Sequence, residues 1–149
     1  MEYVIRKIRE GELSQLIELC RRHAEFEQAE YTSTNKESAL RAAIFTSGQK
    51  LFCYVIEVNS CLVGYFTYTF DFSTWDAEKF LHVDCVYLDP PFRGLRIGEH
   101  IFNELRIVAD QTSCVNIQWQ TPVFNDRAIK FYKRIGAIGK DKVRFFIDL

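Results

Sequence analysis

Leu88-Asp-Pro-Pro-Phe-Arg-Gly-Leu-Arg-Ile-Gly98 is the stretch around which the rest of the chain organises. Ahead of it, residues 80–88 read as a strand, stopped by Pro90 and Pro91, which cannot donate to a ladder. Behind it, Ile101, Leu105 and Val108 recur at helical spacing and predict a helix over residues 97–111. A strand end, a break, a short loop and a helix start aim the free N–H groups of loop and first turn at one point. Such a point binds phosphate. Gly94 and Gly98 let the backbone approach closely, and Arg93 and Arg96 add positive charge beside it. By spacing alone, the stretch is equally an ordinary strand-to-helix turn with surface arginines. It is neither a Walker loop, since no Gly-Lys-Ser/Thr follows, nor a dinucleotide fingerprint, since GxGxxG is absent.

Working outward, the N-terminal side predicts a short strand over residues 3–8 and a helix over 13–26, from the spacing of Leu13, Leu16, Ile17 and Cys20. Thr34-Asn-Lys-Glu37 has the spacing of a capping box, opening a second helix that runs to Phe45. Residues 51–58 and 61–70 read as a hairpin closed by Asn59-Ser60, followed by a polar loop over 72–78 that holds Trp75. On the C-terminal side, 115–121 alternates as a strand. A helix over 126–135 ends at Gly136, and 143–149 reads as a last strand. The order β-α-α-β-β-β-α-β-α-β puts an antiparallel run before a β-α-β crossover. It predicts an α/β fold of one mixed, mostly antiparallel sheet with helices on both faces, one domain over residues 1–149.

The composition narrows the function classes. The chain has 149 residues, 48% hydrophobic and 26% charged, enough for a real core. A formal net charge of -1 does not provide the broad positive field that nucleic-acid or anionic-membrane binding uses. No apolar run is long enough to span a bilayer, and the first ten residues lack a signal-peptide core. Cys20, Cys53, Cys61, Cys85 and Cys114 are odd in number, contain no CxxC pair and lie in apolar segments. They are expected to be reduced, buried thiols of a cytoplasmic protein. With 3 His and no ligand spacing, no metal site is expected.

Arg93-Gly-Leu-Arg-Ile-Gly98, after a strand and a "DPPF" break, resembles the pyrophosphate loop of the GCN5-related N-acetyltransferases (GNAT), whose pattern runs Arg/Gln-x-x-Gly-x-Gly/Ala. Asn125-Asp-Arg-Ala-Ile-Lys-Phe-Tyr-Lys-Arg-Ile-Gly-Ala137 resembles the family's second cofactor segment. Two matched segments with a strand between them are far more specific than either alone. Ala24-Glu-Phe-Glu27, Gly64-Tyr-Phe-Thr-Tyr68, Trp75 and Phe131–Ala137 are most similar to the diamine (spermidine/spermine) enzymes of that family. Two positions depart from the patterns. Arg96 replaces the first glycine of the loop, where an arginine can adopt helical dihedrals and either turn its side chain away or grip a phosphate, and Ser73 stands where the diamine enzymes carry an acid.

The resemblance implies an acetyl-CoA-dependent enzyme that transfers acetyl to a primary amine of a small molecule by direct attack, working as a homodimer. Acetyl-CoA would rest on Arg93, Gly94, Leu95, Arg96, Ile97, Gly98 and Glu99, on backbone groups of Val86, Tyr87 and Leu88, and on Asn125, Arg127, Ala128 and Tyr132. Tyr132 matches the family's general acid, and Asp84 matches an acid of the diamine enzymes and is the candidate base, with His82 as fallback. Phe26, Glu27, Trp75, Gln118, Trp119, Gln120 and Asp141 are candidates for the acceptor pocket, where aromatic faces and carboxylates suit a cation. Each has a plainer alternative: Tyr132 as a core aromatic beside Phe131, Asp84 and His82 as the lining of a solvated sheet face, and the pocket residues as ordinary packing. In an unbulged strand Asp84 and His82 share one face, with Leu81, Val83, Cys85 and Tyr87 on the other. Cys85 and His82, facing apart, then make a poor nucleophile–base pair. The competing functions are a non-catalytic acetyl-CoA sensor and an enzyme acting on a peptide or protein amine.

Overall fold

A computed structural model describes residues Met1–Leu149. The elements run β1 (Val4–Lys7), α1 (Leu13–Phe26), α2 (Lys36–Phe45), β2 (Phe52–Val58), β3 (Cys61–Ser73), β4 (Glu78–Leu88), α3 (Ile97–Gln111), β5 (Ile117–Gln118) and α4 (Asp126–Arg134). Short 3₁₀ turns at Glu10–Glu12 and Pro90–Phe92 precede α1 and follow β4.

The five strands form one sheet in sequence order, antiparallel from β1 to β4 and parallel between β4 and β5. Apolar side chains alternate to both faces, because each face receives helices. On one face, Leu13, Leu16 and Leu19 of α1 and Ile44 of α2 pack on Cys53, Val55, Leu62, Tyr65 and Tyr87. On the other, Ile97, Ile101, Phe102 and Leu105 of α3 pack on Ile56, Val58, Phe66, Leu81 and Val83. The β2–β3 turn is Asn59-Ser60, both with positive φ (49° and 65°), the backbone a tight hairpin demands.

The structure corrects four expectations. The capping box is not formed: Asn35, in left-handed conformation, caps α2 without a side-chain bond, and Glu37 accepts from Arg41 instead. The polar loop over 72–78 shrinks to a tight turn, because β3 and β4 stay paired out to Ser73 and Glu78. The strand over 115–121 is only two residues long. Residues 143–149 form no strand: they are exposed and make no hydrogen bond to the rest of the chain. Among the cysteines, Cys53 is buried while Cys61, the first residue of β3, is exposed.

Candidate active site

The site lies where β4 and β5 part. Their ladder holds only Leu81 to Ile117 and His82 to Gln118. Beyond His82, β4 continues to Leu88 on β3 alone, so the β5 side of Val86, Tyr87 and Leu88 is an open edge. The two strands therefore part beyond His82 and leave a gap between them.

A bulge sits in β4 at the mouth of this gap. Thr67 pairs with Cys85 and Tyr68 with Val83, which leaves Asp84 as the extra residue. The bulge overturns the face assignment of an unbulged strand. Leu81 and Val83 before it, and Val86 and Leu88 after it, face the α3 layer, whereas Cys85 and Tyr87 face the α1–α2 layer. By alternation His82 is on the same side as Cys85, so facing apart does not separate that pair. The chemistry does: burial, then the Asp84 carboxylate, pushes the Cys85 thiol up to about 12, which keeps it protonated at neutral pH. Asp84 is exposed, at a position a bulge re-aims.

Below the gap is the loop between β4 and α3. The backbone N–H groups of Gly94, Leu95, Arg96, Ile97, Gly98 and Glu99 have no acceptor within the protein; the first amide of this run to be bonded is His100, to the Arg96 carbonyl. Gly94 has φ +82°, and a Cβ built on it would lie 3.7 Å from an Arg127 guanidinium nitrogen. A Cβ on Gly98 would lie 2.9 Å from the Phe131 ring. The two segments matched in the sequence are thus in contact, α3 against α4, and Gly98 is what permits the approach. Arg96 caps α3 with φ 63° and ψ 6°. It does not take helical dihedrals but the left-handed conformation that suits the glycine it replaces.

The other residues around the gap are held by identifiable contacts. Arg93 donates from Nε to the Leu88 carbonyl at 2.8 Å, and its guanidinium stands 4.3 Å from the Phe26 ring centre and 5.5 Å from that of Tyr87. Asn125 accepts from the Ala128 amide at 3.3 Å, so its side chain serves as the α4 cap. Glu99 pairs with Arg134. Tyr132 packs edge-on against Phe102 and Trp119, with centroids 5.6 and 5.2 Å away. Burial, then the Glu27 carboxylate, raises its phenol to about 12. Trp119 and Tyr132 therefore meet over Phe102, and the Glu27 charge is near enough to act on the phenol. Gln118 bonds Asn116 and Gln120 is exposed. Trp75 is 95% exposed at the β3–β4 turn, and Asp141 lies in the exposed C-terminal segment; neither lines the gap within this chain.

A polar cluster missed in the sequence braces the site from the α1 side. Arg22 donates to Asp89 at 2.6 Å and the Tyr87 hydroxyl donates to the same carboxylate at 3.1 Å, tying the end of α1 to the end of β4. His23 lies 3.1 Å from Glu27 and 2.8 Å from the Tyr65 hydroxyl. A carboxylate only accepts, so Nε2 carries the proton toward Glu27, and a neutral ring then accepts from Tyr65 at Nδ1. The His23–Glu27 spacing of one helical turn was a usable signal. The Arg22–Asp89 pair had none, since it joins residues far apart in the chain.

A strand–bulge–loop–helix with unbonded amides over an open strand edge is a cradle for a phosphate-bearing, extended ligand. The sequence model described as the acetyltransferase (GNAT) family matches residues 12–137. The chain belongs to this family. It is an N-acetyltransferase that uses acetyl-CoA to acetylate an amine, and the cradle fits that co-substrate. The acetyltransferase is 32% identical over 142 residues to thialysine N-epsilon-acetyltransferase of Bos taurus, covering 90% of this chain and 83% of the relative. It is 26% identical over 101 residues to spermidine/spermine N(1)-acetyltransferase-like protein 1 of Homo sapiens, covering 63% of this chain and 14% of that protein. An aminoglycoside acetyltransferase from a soil metagenomic sample, solved with sisomicin, has the same fold with a TM-score of 0.82 at 15% identity, covering 99% of this chain and 96% of that one. AAC(6')-Iy, solved with a CoA bisubstrate analog, has a TM-score of 0.81 at 13% identity, covering 100% of this chain and 99% of that one. No helix of the acetyltransferase is long and apolar enough to cross a membrane.

Proposed function

We propose that this acetyltransferase, one domain over residues 1–149, acetylates a primary amine of a small cationic molecule. The acceptor is a diamine, polyamine or amino-acid-like amine, attacked directly within one ternary complex. The reading includes a cytoplasmic setting and a homodimer. The observation that carries it is the run of acceptor-free amides from Gly94 to Glu99 beside the Arg127 guanidinium. This is a receptor for a diphosphate.

Acetyl-CoA supplies an activated acetyl thioester; the amine nitrogen would bond to the acetyl carbon as the C–S bond breaks, and CoA would leave as the thiolate. The amides of Gly94, Leu95, Arg96, Ile97, Gly98 and Glu99 hold its diphosphate with Arg127, and Arg93 braces the loop from below. The open edge at Val86, Tyr87 and Leu88 takes the amide groups of the pantetheine arm, with Asn125 and Ala128 at the α4 end. An alkyl amine of pKa about 10.4 is neutral for about one part in 10³ at pH 7, a penalty of roughly 4–5 kcal/mol. Asp84 removes that proton, directly or through water, with His82 as the second candidate.

Tyr132 faces the leaving sulfur. Its phenol, raised to about 12, stays protonated through the working range. A thiolate of ordinary pKa about 8.5 is a weaker base than this phenolate by roughly three units. Tyr132 therefore stabilises it by donating a hydrogen bond, and full transfer of the proton is uphill. Phe26, Glu27, Gln118, Trp119 and Gln120 form the acceptor side; Trp75 and Asp141 join it only from a second subunit.

The test is CoA release across diamines, lysine analogues, aminoglycosides and a basic peptide, with calorimetric titration of acetyl-CoA. Turnover on a small amine above the peptide is expected. Binding without turnover would favour a sensor, turnover on the peptide alone a protein acetyltransferase, and absence of acetyl-CoA binding would sink the cradle. Asp84→Asn should move the acid limb of the kcat/KM profile to higher pH; a superimposable profile removes Asp84 as base.

A further inference from the structure

Three carboxylates stand along α1 and at its end, and they are not partnered alike. Glu18 pairs with Arg21 and Arg22, and Glu25 pairs with Arg21, on the solvent side of the helix. Glu27 has no arginine or lysine within ion-pair distance. Its partner is His23, one turn back on the same helix, with Nε2 3.1 Å from Oε1.

Glu27 caps the C-terminus of α1. That is the negative end of the helix macrodipole, where a carboxylate is disfavoured. Gln28 then turns the chain away with φ 58°. A side chain at such a place ordinarily swings free in solvent. Glu27 instead is only 34% exposed and is tied twice to one residue. Its amide donates to the His23 carbonyl at 3.0 Å, and its carboxylate accepts from the His23 ring.

The ring itself is held on its other sides. The Tyr65 hydroxyl lies 2.8 Å from Nδ1, and the Tyr87 ring stacks on the imidazole with centroids 5.1 Å apart. Both tyrosines are buried, one in β3 and one in β4. With Nδ1 accepting from Tyr65, the ring is neutral and Nε2–H is its one donor. This decides the electrostatics. An arginine would hold Glu27 and cancel its charge, whereas a neutral imidazole holds it and leaves the charge in place. The charge is felt at the gap: burial first, and then Glu27, raise the Tyr132 phenol. The reacting nitrogen attacks as the neutral amine. A carboxylate that does not take its proton serves a different, charged nitrogen of the same molecule.

We infer that His23 is a positioning residue: seated on Tyr65 and Tyr87, it fixes the Glu27 carboxylate on the acceptor side with its charge intact, and the pair selects an amine that carries a second, non-reacting ammonium. This role rests on the acceptor reading above, in which Glu27 belongs to the amine's side, and adds the residue that aims it.

Steady-state kinetics with cadaverine and pentylamine, which differ by one ammonium, test it, with acetyl-CoA titrated by calorimetry. His23→Leu, which has no donor, should raise the cadaverine KM about tenfold, as expected for one lost hydrogen bond to a charged group. It should leave kcat within about twofold, acetyl-CoA affinity unchanged and the pentylamine KM unmoved. His23→Gln, whose amide N–H can reach the same carboxylate, should recover most of the loss. His23→Leu added to Glu27→Gln should do no more than Glu27→Gln alone, because one acts through the other. A KM that rises alike on both amines, or effects that add, would make His23 a packing residue and overturn the role. A native enzyme that binds acetyl-CoA but turns over neither amine sinks the small-amine reading and the selection together, whereas turnover with a KM indifferent to His23→Leu sinks the selection alone. Imidazole nitrogen NMR of the histidine-labelled native enzyme needs no turnover. The His23 ring, assigned by its loss in His23→Gln, should be protonated at Nε2 and bare at Nδ1. The reverse tautomer leaves no donor for Glu27 and overturns the positioning whatever the kinetics.

Discussion

Through the end of α3 the sheet is sandwiched: α1 and α2 cover one face, α3 the other, and side chains such as Leu19, Val55, Leu81 and Ile101 have no exposed surface. Past Ala109 the same sheet carries a two-residue strand and a helix, α4, with no buried residue. The proposed diphosphate cradle is anchored in the first region, at the end of β4 and the start of α3, whereas Tyr132 and Gln118 to Gln120, proposed for the acceptor side, belong to the second. On the proposed reading, a fixed cradle would place one substrate and a lightly packed wall would meet the other. Regions with few buried contacts are those that open locally at low cost.

The sharpest way to break this contrast is a matched pair of truncations. Phe66 is 1% exposed and stacks on Tyr54 at 5.2 Å, so Phe66→Ala should cost roughly 3–5 kcal/mol in urea unfolding. Phe131 of α4 is only partly buried, against Phe102, so Phe131→Ala should cost about 1–2 kcal/mol. Equal losses would show that the two regions are packed alike.

Tyr132 sharpens the comparison next, because it is the best-enclosed titratable group of the lighter region. Tyr132→Phe should lower kcat at least tenfold, about 1.4 kcal/mol, with acetyl-CoA affinity little changed; unaltered turnover would remove it as the hydrogen-bond donor to the leaving thiolate. The same variant has an alkaline signature. The folded phenol is raised to about 12 from an ordinary 10.0, so the unfolded chain loses this proton first. The stability it contributes is complete below pH 10 and falls as pH rises toward 12, by roughly 2 kcal/mol near the upper end. Urea midpoints measured over that window should fall less steeply for Tyr132→Phe than for the native chain. Parallel curves would mean that the phenol is solvated and the wall more open than its packing indicates.

What was legible in the sequence follows the same division. Helices α1 and α3 have the predicted bounds, because each presents a full apolar stripe to a core that the chain itself provides. The antiparallel strands and the Asn59-Ser60 turn were readable for the same local reason. The two segments that carry the family resemblance were readable because glycine spacing and an Asn–Tyr pattern are local, and the fold brings them into contact. Three features were not. The bulge at Asp84 leaves no mark in the residue alternation, so the faces before and after it were misassigned. The Thr34–Glu37 box lost to an Arg41 partner for Glu37 on the helix surface. Residues 143–149 have a strand's pattern without a strand's pairing, because alternation records what a segment can bury, and nothing within this chain covers it.

The smallest expected effect tests the cradle itself. Arg96 holds φ 63° at the cap of α3, a left-handed conformation that costs a residue with a Cβ roughly 1 kcal/mol relative to glycine. Arg96→Gly removes that strain but also frees the unfolded chain, an opposing change of a few tenths to about 1 kcal/mol. The net change in stability should lie within about 0.5 kcal/mol of zero, whereas an ordinary exposed helical arginine replaced by glycine loses about 1 kcal/mol. The affinity for acetyl-CoA separates two roles for the guanidinium. If Arg96 grips the diphosphate, Arg96→Gly weakens binding and flattens its salt dependence. If the backbone amides do the work, affinity holds and the cradle depends on the conformation alone. The acceptor-free amides from Gly94 to Glu99 favour the second outcome, because the glycine variant keeps every one of them.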